Sequence, residues 1–347
     1  MDTGPTSSRK IRFANFRLDY LIGSGGVSRV YKGWDLQSKM PVAIKIVDAN
    51  FSGGDPEIVT TFFEHTKLLT SWQHKNIIRI HRAGYDEDYL YLVMEHVDGM
   101  HLRDVIEHYA EEGELIPHDD VIQVVRSVAL ALDYAHRRNV LHLDIKPQNI
   151  LLDRSGRVVL TDFNIPLKIK KDSGIIFGSA HYMSPEQVAG KKQLTPRSDL
   201  YALGICLFEM LTGTVPFDDP DLLRVAMQQI NLEPPSPRKL NPNINPATEA
   251  VLLKALSKNP EDRFATGEDM ITALEEVLAF QLTTPAEIRP LPPPPAGVRM
   301  QMRRLSQKAI IERVITRMEV TAQIKESDHL TRQTLERAIN RLENWRA

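Results

Sequence analysis

Cysteine is almost missing from this chain: Cys206 is the one thiol in 347 residues. An internal disulfide is therefore excluded, and such usage suits a reducing compartment. Long apolar runs are missing as well. The longest, around Leu200 to Met210, carries Glu209 and falls short of the roughly 20 residues a spanning helix needs. The opening MDTGPTSSRK has no apolar stretch of the secretory kind, so a cytoplasmic protein with no membrane span is expected. Nor is there an excess of either charge. Lys and Arg number 43 against 45 Asp and Glu, which removes the global field that draws proteins to nucleic acid or anionic lipid. No nucleic-acid partner is expected. What the chain has in quantity is apolar side chains, 42% of its residues, enough for real cores and incompatible with disorder throughout.

Residues 1–12 read as a flexible N-terminus. From Phe13 to about Val97 the pattern is short and β-like, with glycine and polar breaks between runs such as VAIKIV and YLYLVME. One helical stretch, roughly Glu57 to Trp72, interrupts it. From Leu102 the apolar residues fall three and four apart, as in Val121, Val124, Val125, Val128 and Leu132, which is helix spacing. An α+β chain with a strand-rich small lobe, 13–97, and a helical large lobe, 98–282, is the expectation. Residues 283–299 hold too many prolines for a helix and read as a stiff spacer. Residues 300–347 return to helix formers, with Leu330, Thr334, Ala338 and Leu342 on one face of a second helix beginning at His329. So short a helical module cannot bury that stripe alone, which implies self-association or the docking of a partner.

Five signals fall in order along 13–282. They are IGSGGVSRV from Ile22; VAIK ending at Lys45; HLDIKPQNILL from His142 with TDFN around Asp162; GSAHYMSPEQ from Gly178; and SDLYALG with, much later, KNPEDRF. Singly, a glycine turn or a strand lysine says little. Jointly and in this order they resemble the protein kinase family, serine/threonine type, over roughly Phe13 to Phe280. The resemblance implies a bilobal kinase fold with a C-terminal helical extension, ATP and Mg²⁺ as cofactors, and a protein substrate. It implies that the glycine-rich turn (Ile22, Gly23, Ser24, Gly25, Gly26, Val27, Ser28, Val30) covers the phosphates, because glycine backbone can approach them closely. It places Ala43 and Lys45 at the nucleotide, the lysine on its α- and β-phosphates. Met94, Glu95, His96 and Val97 would supply backbone hydrogen bonds to adenine, with Leu151 as its apolar floor. Asp144 would accept or orient the substrate hydroxyl, Lys146 would neutralise the transferring phosphate, and Asn149 and Asp162 would hold the metal through hard oxygens. By the same analogy Glu186 pairs with Arg263, and Asp199 braces the catalytic loop. Zinc is not expected, since His65, His74 and His81 lack the helical spacing of a ligand pair and no cysteine accompanies them.

Four positions depart from the family pattern. Ser28 replaces the third glycine of the turn. Counting back from His74 and Ile77, His65 stands where the family has the glutamate that pairs with the strand lysine; Glu64 precedes it, rotated by about 100° on a helix. Leu143 replaces the arginine before the catalytic aspartate, and 165–177 contain Ser173 as the one hydroxyl. A phosphate there would lack its main cationic partner, so control by phosphorylation of that segment is not expected. Asn164 replaces the glycine after Asp-Phe, and Asn is the non-glycine residue most tolerant of left-handed backbone. The run Lys168, Lys170 and Lys171 would attract acidic substrates, if it is not simply solvated. The first expectation is therefore an active serine/threonine kinase. The alternatives are a pseudokinase scaffold that binds nucleotide or partners and, less favoured by the 178–187 segment, a small-molecule kinase.

Overall fold

The computed structural model describes residues 11–24, 28–48, 56–86, 89–163 and 180–279. Gly25, Gly26, Val27, Asn164, Ser173, the Lys168 to Lys171 run, the proline-rich spacer and the 300–347 module lie outside the described residues.

The small lobe is a six-stranded antiparallel sheet in the order β1-β2-β3-β4-β6-β5, with strands Ile11–Phe13, Phe16–Ser24, Ser28–Asp35, Met40–Asp48, Ile80–Asp86 and Tyr89–Glu95 for β1, β2, β3, β4, β5 and β6. Ile11 and Arg12, ahead of the expected start at Phe13, pair with Leu18 and Arg17. Strand periodicity decides what faces the cleft. On β4, Val42 and Ile44 point outward into a cluster with Phe16, Leu18 and Val93. Ala43, one residue out of phase, joins the main core with Leu92 and Met94, and Lys45 shares its face.

Helix α1, Pro56–Thr70, packs Phe62 against Val47 and Leu90. It stops short of the expected end at Trp72. The ring of Trp72 instead leaves the helix and sits edge-on to Tyr134 at 5.7 Å and to Phe163 at 5.3 Å, both in the large lobe. Backbone bonds fix the same junction: Ile78 donates to the Leu160 carbonyl at 2.9 Å and Leu160 to that of Asn76 at 2.8 Å.

Beyond the hinge, strands β7, β8 and β9 (Gly99–His101, Ile150–Asp153 and Val158–Leu160) form a small antiparallel sheet. A side chain at Gly99 would place its Cβ 1.9 Å from the Leu152 carbonyl oxygen, so only glycine admits this approach. The large lobe also contains α2 (Leu102–Glu111), α3 (His118–His136), α4 (Pro185–Val188), α5 (Pro196–Thr212), α6 (Leu222–Asn231), α7 (Pro237–Leu240), α8 (Pro246–Ala255) and α9 (Gly267–Ala279). Helix α5 is buried on every side from Ser198 to Leu211, which makes it the axis of the lobe. Helix α3 lies against it and buries Val121, Val124, Val125, Val128 and Leu132, the residues whose spacing predicted a helix. Asp133 on α3 accepts the backbone N–H groups of Gly267 at 2.8 Å and Glu268 at 2.9 Å, so a buried carboxylate caps α9 across the core. Among the described residues no helix is long and apolar enough to cross a membrane.

Candidate active site

At the junction of the lobes, several of the described sequence-predicted residues come together from both sides. Ile22, Val30, Val97 and Leu151 pack on the apolar cluster that includes Ala43 and Met94, so the apolar members of the expected adenine site lie together. Strand register pairs Val30 with Lys45 and Gly23 with Val30. Two of the expected hinge donors are otherwise engaged. Met94 sits within the ladder between Ala43 and Ile80, and the Glu95 N–H donates to the Arg79 carbonyl at 2.9 Å. Glu95 further anchors the hinge through its carboxylate, which accepts from Arg79 N–H at 3.0 Å and Arg157 at 3.0 Å.

Across the cleft, the loop from His142 to Asn149 is held by buried polar groups. Asp199, 1% exposed, accepts from the N–H of His142 at 2.8 Å and of Leu143 at 2.7 Å, and contacts His136 Nε2 at 2.8 Å. His142 is fully buried. Its Nδ1 accepts the Asp144 N–H at 3.2 Å and its Nε2 meets the Thr161 carbonyl at 2.9 Å. Burial pushes the pKa of this imidazole down, so the neutral ring with its proton on Nε2 satisfies both bonds. One histidine thereby ties Asp144 to the residue before Asp162.

Asp144 Oδ2 lies 2.8 Å from Lys146 Nζ and accepts from Asn149 Nδ2 at 2.9 Å. Lys45 Nζ reaches Asp162 Oδ1 at 2.8 Å, joining a small-lobe strand to a large-lobe loop. Burial works to raise the Asp162 pKa, but the Lys45 ammonium, with Lys146 behind it, outweighs burial and holds the carboxyl below its ordinary value. Both Leu143 and Asp162 have a φ of 61°, in the left-handed region that disfavours their side chains.

Helix α1 does not take the lysine. Glu64 is exposed, and His65 Nδ1 is buried without a hydrogen-bond partner among the described residues. The carboxylate that holds Lys45 is thus the expected metal ligand itself. For ATP and magnesium, the donor set fits. Asp162 offers an ionised hard oxygen, and Asn149, which turns its Nδ2 to Asp144, would coordinate through Oδ1. One carboxylate and one amide suit a cation whose other positions are filled by phosphate and water.

The peptide-site segment is fixed from below. Arg263 grips Glu186 through two bonds, 2.7 and 2.9 Å, and Ser198 Oγ adds a third at 2.7 Å. Burial tends to raise the Glu186 pKa, but Arg263 and Ser198 lower it to about 2. Residues the sequence did not single out complete this floor. Gln229, wholly buried, donates through Nε2 to the carbonyls of Ala180 at 3.2 Å and His181 at 2.7 Å, while its Oε1 accepts from Tyr201 Oη at 2.6 Å. Tyr182 donates to Glu209 at 2.7 Å, and Arg103 bonds to both. Gln187 Nε2 donates to the Leu143 carbonyl at 3.0 Å. Only Gln187 had a local signal, the Ser184-Pro-Glu-Gln capping pattern.

Known proteins share this arrangement of sequence and fold. The profile of the protein kinase domain matches residues 16–275. Serine/threonine-protein kinase PrkC of Bacillus subtilis is 37% identical over 254 residues, 72% of this chain and 38% of PrkC. Probable serine/threonine-protein kinase PknB of Lactococcus lactis is 38% identical over 76% of this chain and 42% of its own length. The chain therefore spans less than half the length of these two relatives. Serine/threonine-protein kinase PknL of Mycobacterium bovis is 34% identical over 76% of this chain and 67% of its own length. Among solved structures, the kinase domain of Mycobacterium tuberculosis PknI has a TM-score of 0.64 at 27% identity, covering 79% of this chain and all of that domain. With its two lobes, its cleft and these relatives, the chain belongs to the protein kinase family, among the bacterial serine/threonine-type members.

Proposed function

We propose that the chain is a serine/threonine protein kinase that moves the γ-phosphoryl group of Mg-ATP to a hydroxyl of a protein substrate. The observation that carries this reading is a pair of bonded sets at the junction of the lobes, Lys45 with Asp162 and Asp144 with Lys146 and Asn149. In the reaction the substrate oxygen bonds to the γ-phosphorus, the bond to the β-phosphate oxygen breaks, and ADP leaves. Asp144 receives or orients the hydroxyl proton, Lys146 faces the phosphoryl oxygens, and Lys45 takes the α- and β-phosphates. Asn149 and Asp162 would hold magnesium, which neutralises phosphate charge when bound. The apolar group of Ile22, Val30, Ala43, Met94, Val97 and Leu151 receives adenine.

A radiolabelled ATP assay on purified protein, with Asp144→Asn as control, tests the proposal. Transfer should fall about 10²- to 10⁴-fold in the variant, and equal incorporation in both proteins would remove it. A second reading, a nucleotide-binding scaffold, is favoured by the mutual neutralisation of Lys45 and Asp162 and by His65 on α1. Mg-dependent thermal stabilisation by ATP without transfer would establish it. To residues 300–347 we assign self-association or partner docking; deletion after Phe280 that changes neither size by light scattering nor partner capture would remove that assignment. A reducing, cytoplasmic setting fits the single, buried Cys206.

A further inference from the structure

We propose that Gln187 is a positioning residue for Asp144: its amide holds the Leu143 carbonyl and so ties the catalytic loop to the peptide-site segment without any phosphate. The inference deepens the kinase reading and rests on it.

Leu143 is an awkward residue for its place. At a φ of 61° it lies in the left-handed region, where a bulky side chain persists only if its surroundings hold it there. It is held at both ends. Its N–H donates to Asp199 Oδ1 at 2.7 Å and its carbonyl accepts from Gln187 Nε2 at 3.0 Å. The next residue is Asp144, so any relaxation of this peptide turns the carboxylate away from its present setting. Gln187 is itself fixed. Its Oε1 accepts from the Ser184 N–H and the Ser184 hydroxyl, each at 3.0 Å, which directs the amide nitrogen at Leu143. Glu186, its neighbour in α4, is anchored to buried Arg263. A continuous set of bonds therefore runs from the lobe's interior through α4 to the residue before Asp144. The sequence has Leu143 at the position of a phosphate-binding arginine and Ser173 as the single hydroxyl of 165–177. The neutral amide bond supplies the same connection without modification.

The competing account is that Gln187 merely completes the cap of α4. Gln187→Glu separates the two, because glutamate serves the capping box as well as glutamine but has no N–H for the Leu143 carbonyl. Its kcat should fall about ten-fold, the effect of losing roughly one well-placed bond, with KM for ATP and Tm unchanged. Hydrogen exchange at the Leu143 and Asp144 amides, which needs no turnover, should quicken. Wild-type kcat together with wild-type exchange in the variant would overturn the proposal. A wild-type chain that transfers no phosphate would sink the kinase reading instead, and exchange would then decide alone. If Gln187→Glu lowers Tm, the same change in a Leu143→Asn background decides. Asparagine accepts the left-handed backbone, so the loss should shrink there, and an equal loss in both backgrounds would overturn the strut.

Discussion

The two halves of the cleft treat charge differently. On the large-lobe side the two buried carboxylates that hold the site have their partners: Glu186 has Arg263 and Ser198, and Asp199 has two backbone amides and His136, whose own Nδ1 has no partner among the described residues. On the small-lobe side Lys45 reaches across the cleft for its carboxylate, while α1 offers an exposed Glu64 and an unsatisfied His65 nitrogen. The difference is one of rigidity. A buried, closed network fixes geometry at a high cost of disruption, whereas a partly exposed pair, 21% and 33% at its two side chains, can exchange partners. On the proposed kinase reading, the lobe that orients the substrate is the fixed one and the side that admits nucleotide is the adjustable one.

Three variants would break or sharpen this contrast. The largest effect is expected from Glu186→Gln, which strands Arg263 in the interior and should cost about 3–5 kcal/mol in chemical denaturation. The pH dependence has a definite sign. Because the folded pKa is depressed from 4.5 to about 2, the stabilisation is complete above the ordinary value and is lost as pH falls from there through the folded value. A denaturation midpoint unmoved by acid over that window in the wild type would contradict the assignment. Next comes Lys45→Met. It should change stability by less than about 1 kcal/mol while lowering phosphoryl transfer about 10²-fold. Equal losses of stability in the two variants would erase the distinction between the halves. The smallest effect belongs to His65→Glu. A carboxylate on α1 would share Lys45 with Asp162, and KM for ATP should fall about five-fold, the worth of one exposed ion pair. An unchanged KM would mean that α1 does not face the lysine.

How far the site was readable follows the same divide. Lys45, Asp144, Asn149 and Asp162 lie in short contiguous motifs, and period-2 alternation alone puts Lys45 on the face of Ala43. The substitution at His65 was countable from His74, but its result was not, since the carboxylate that meets Lys45 comes from another lobe. The helical stretch expected from the sequence, roughly Glu57 to Trp72, assigns Trp72 to α1. Tertiary packing overrode that assignment, because the ring finds Phe163 and Tyr134 only by leaving the helix. Gln229 and the Arg103–Tyr182–Glu209 group carry no local signal, since their partners are carbonyls or side chains distant in sequence. The need for glycine at Gly99 comes from the Leu152 carbonyl, distant in sequence, against which it lies.

The placement of Trp72 has an optical consequence. The chain has three tryptophans, and this one is 4% exposed with Phe163 edge-on against its indole. Its emission therefore reports on the residue next to Asp162, and a nucleotide that shifts that aspartate announces itself in the protein's own fluorescence, with no label attached.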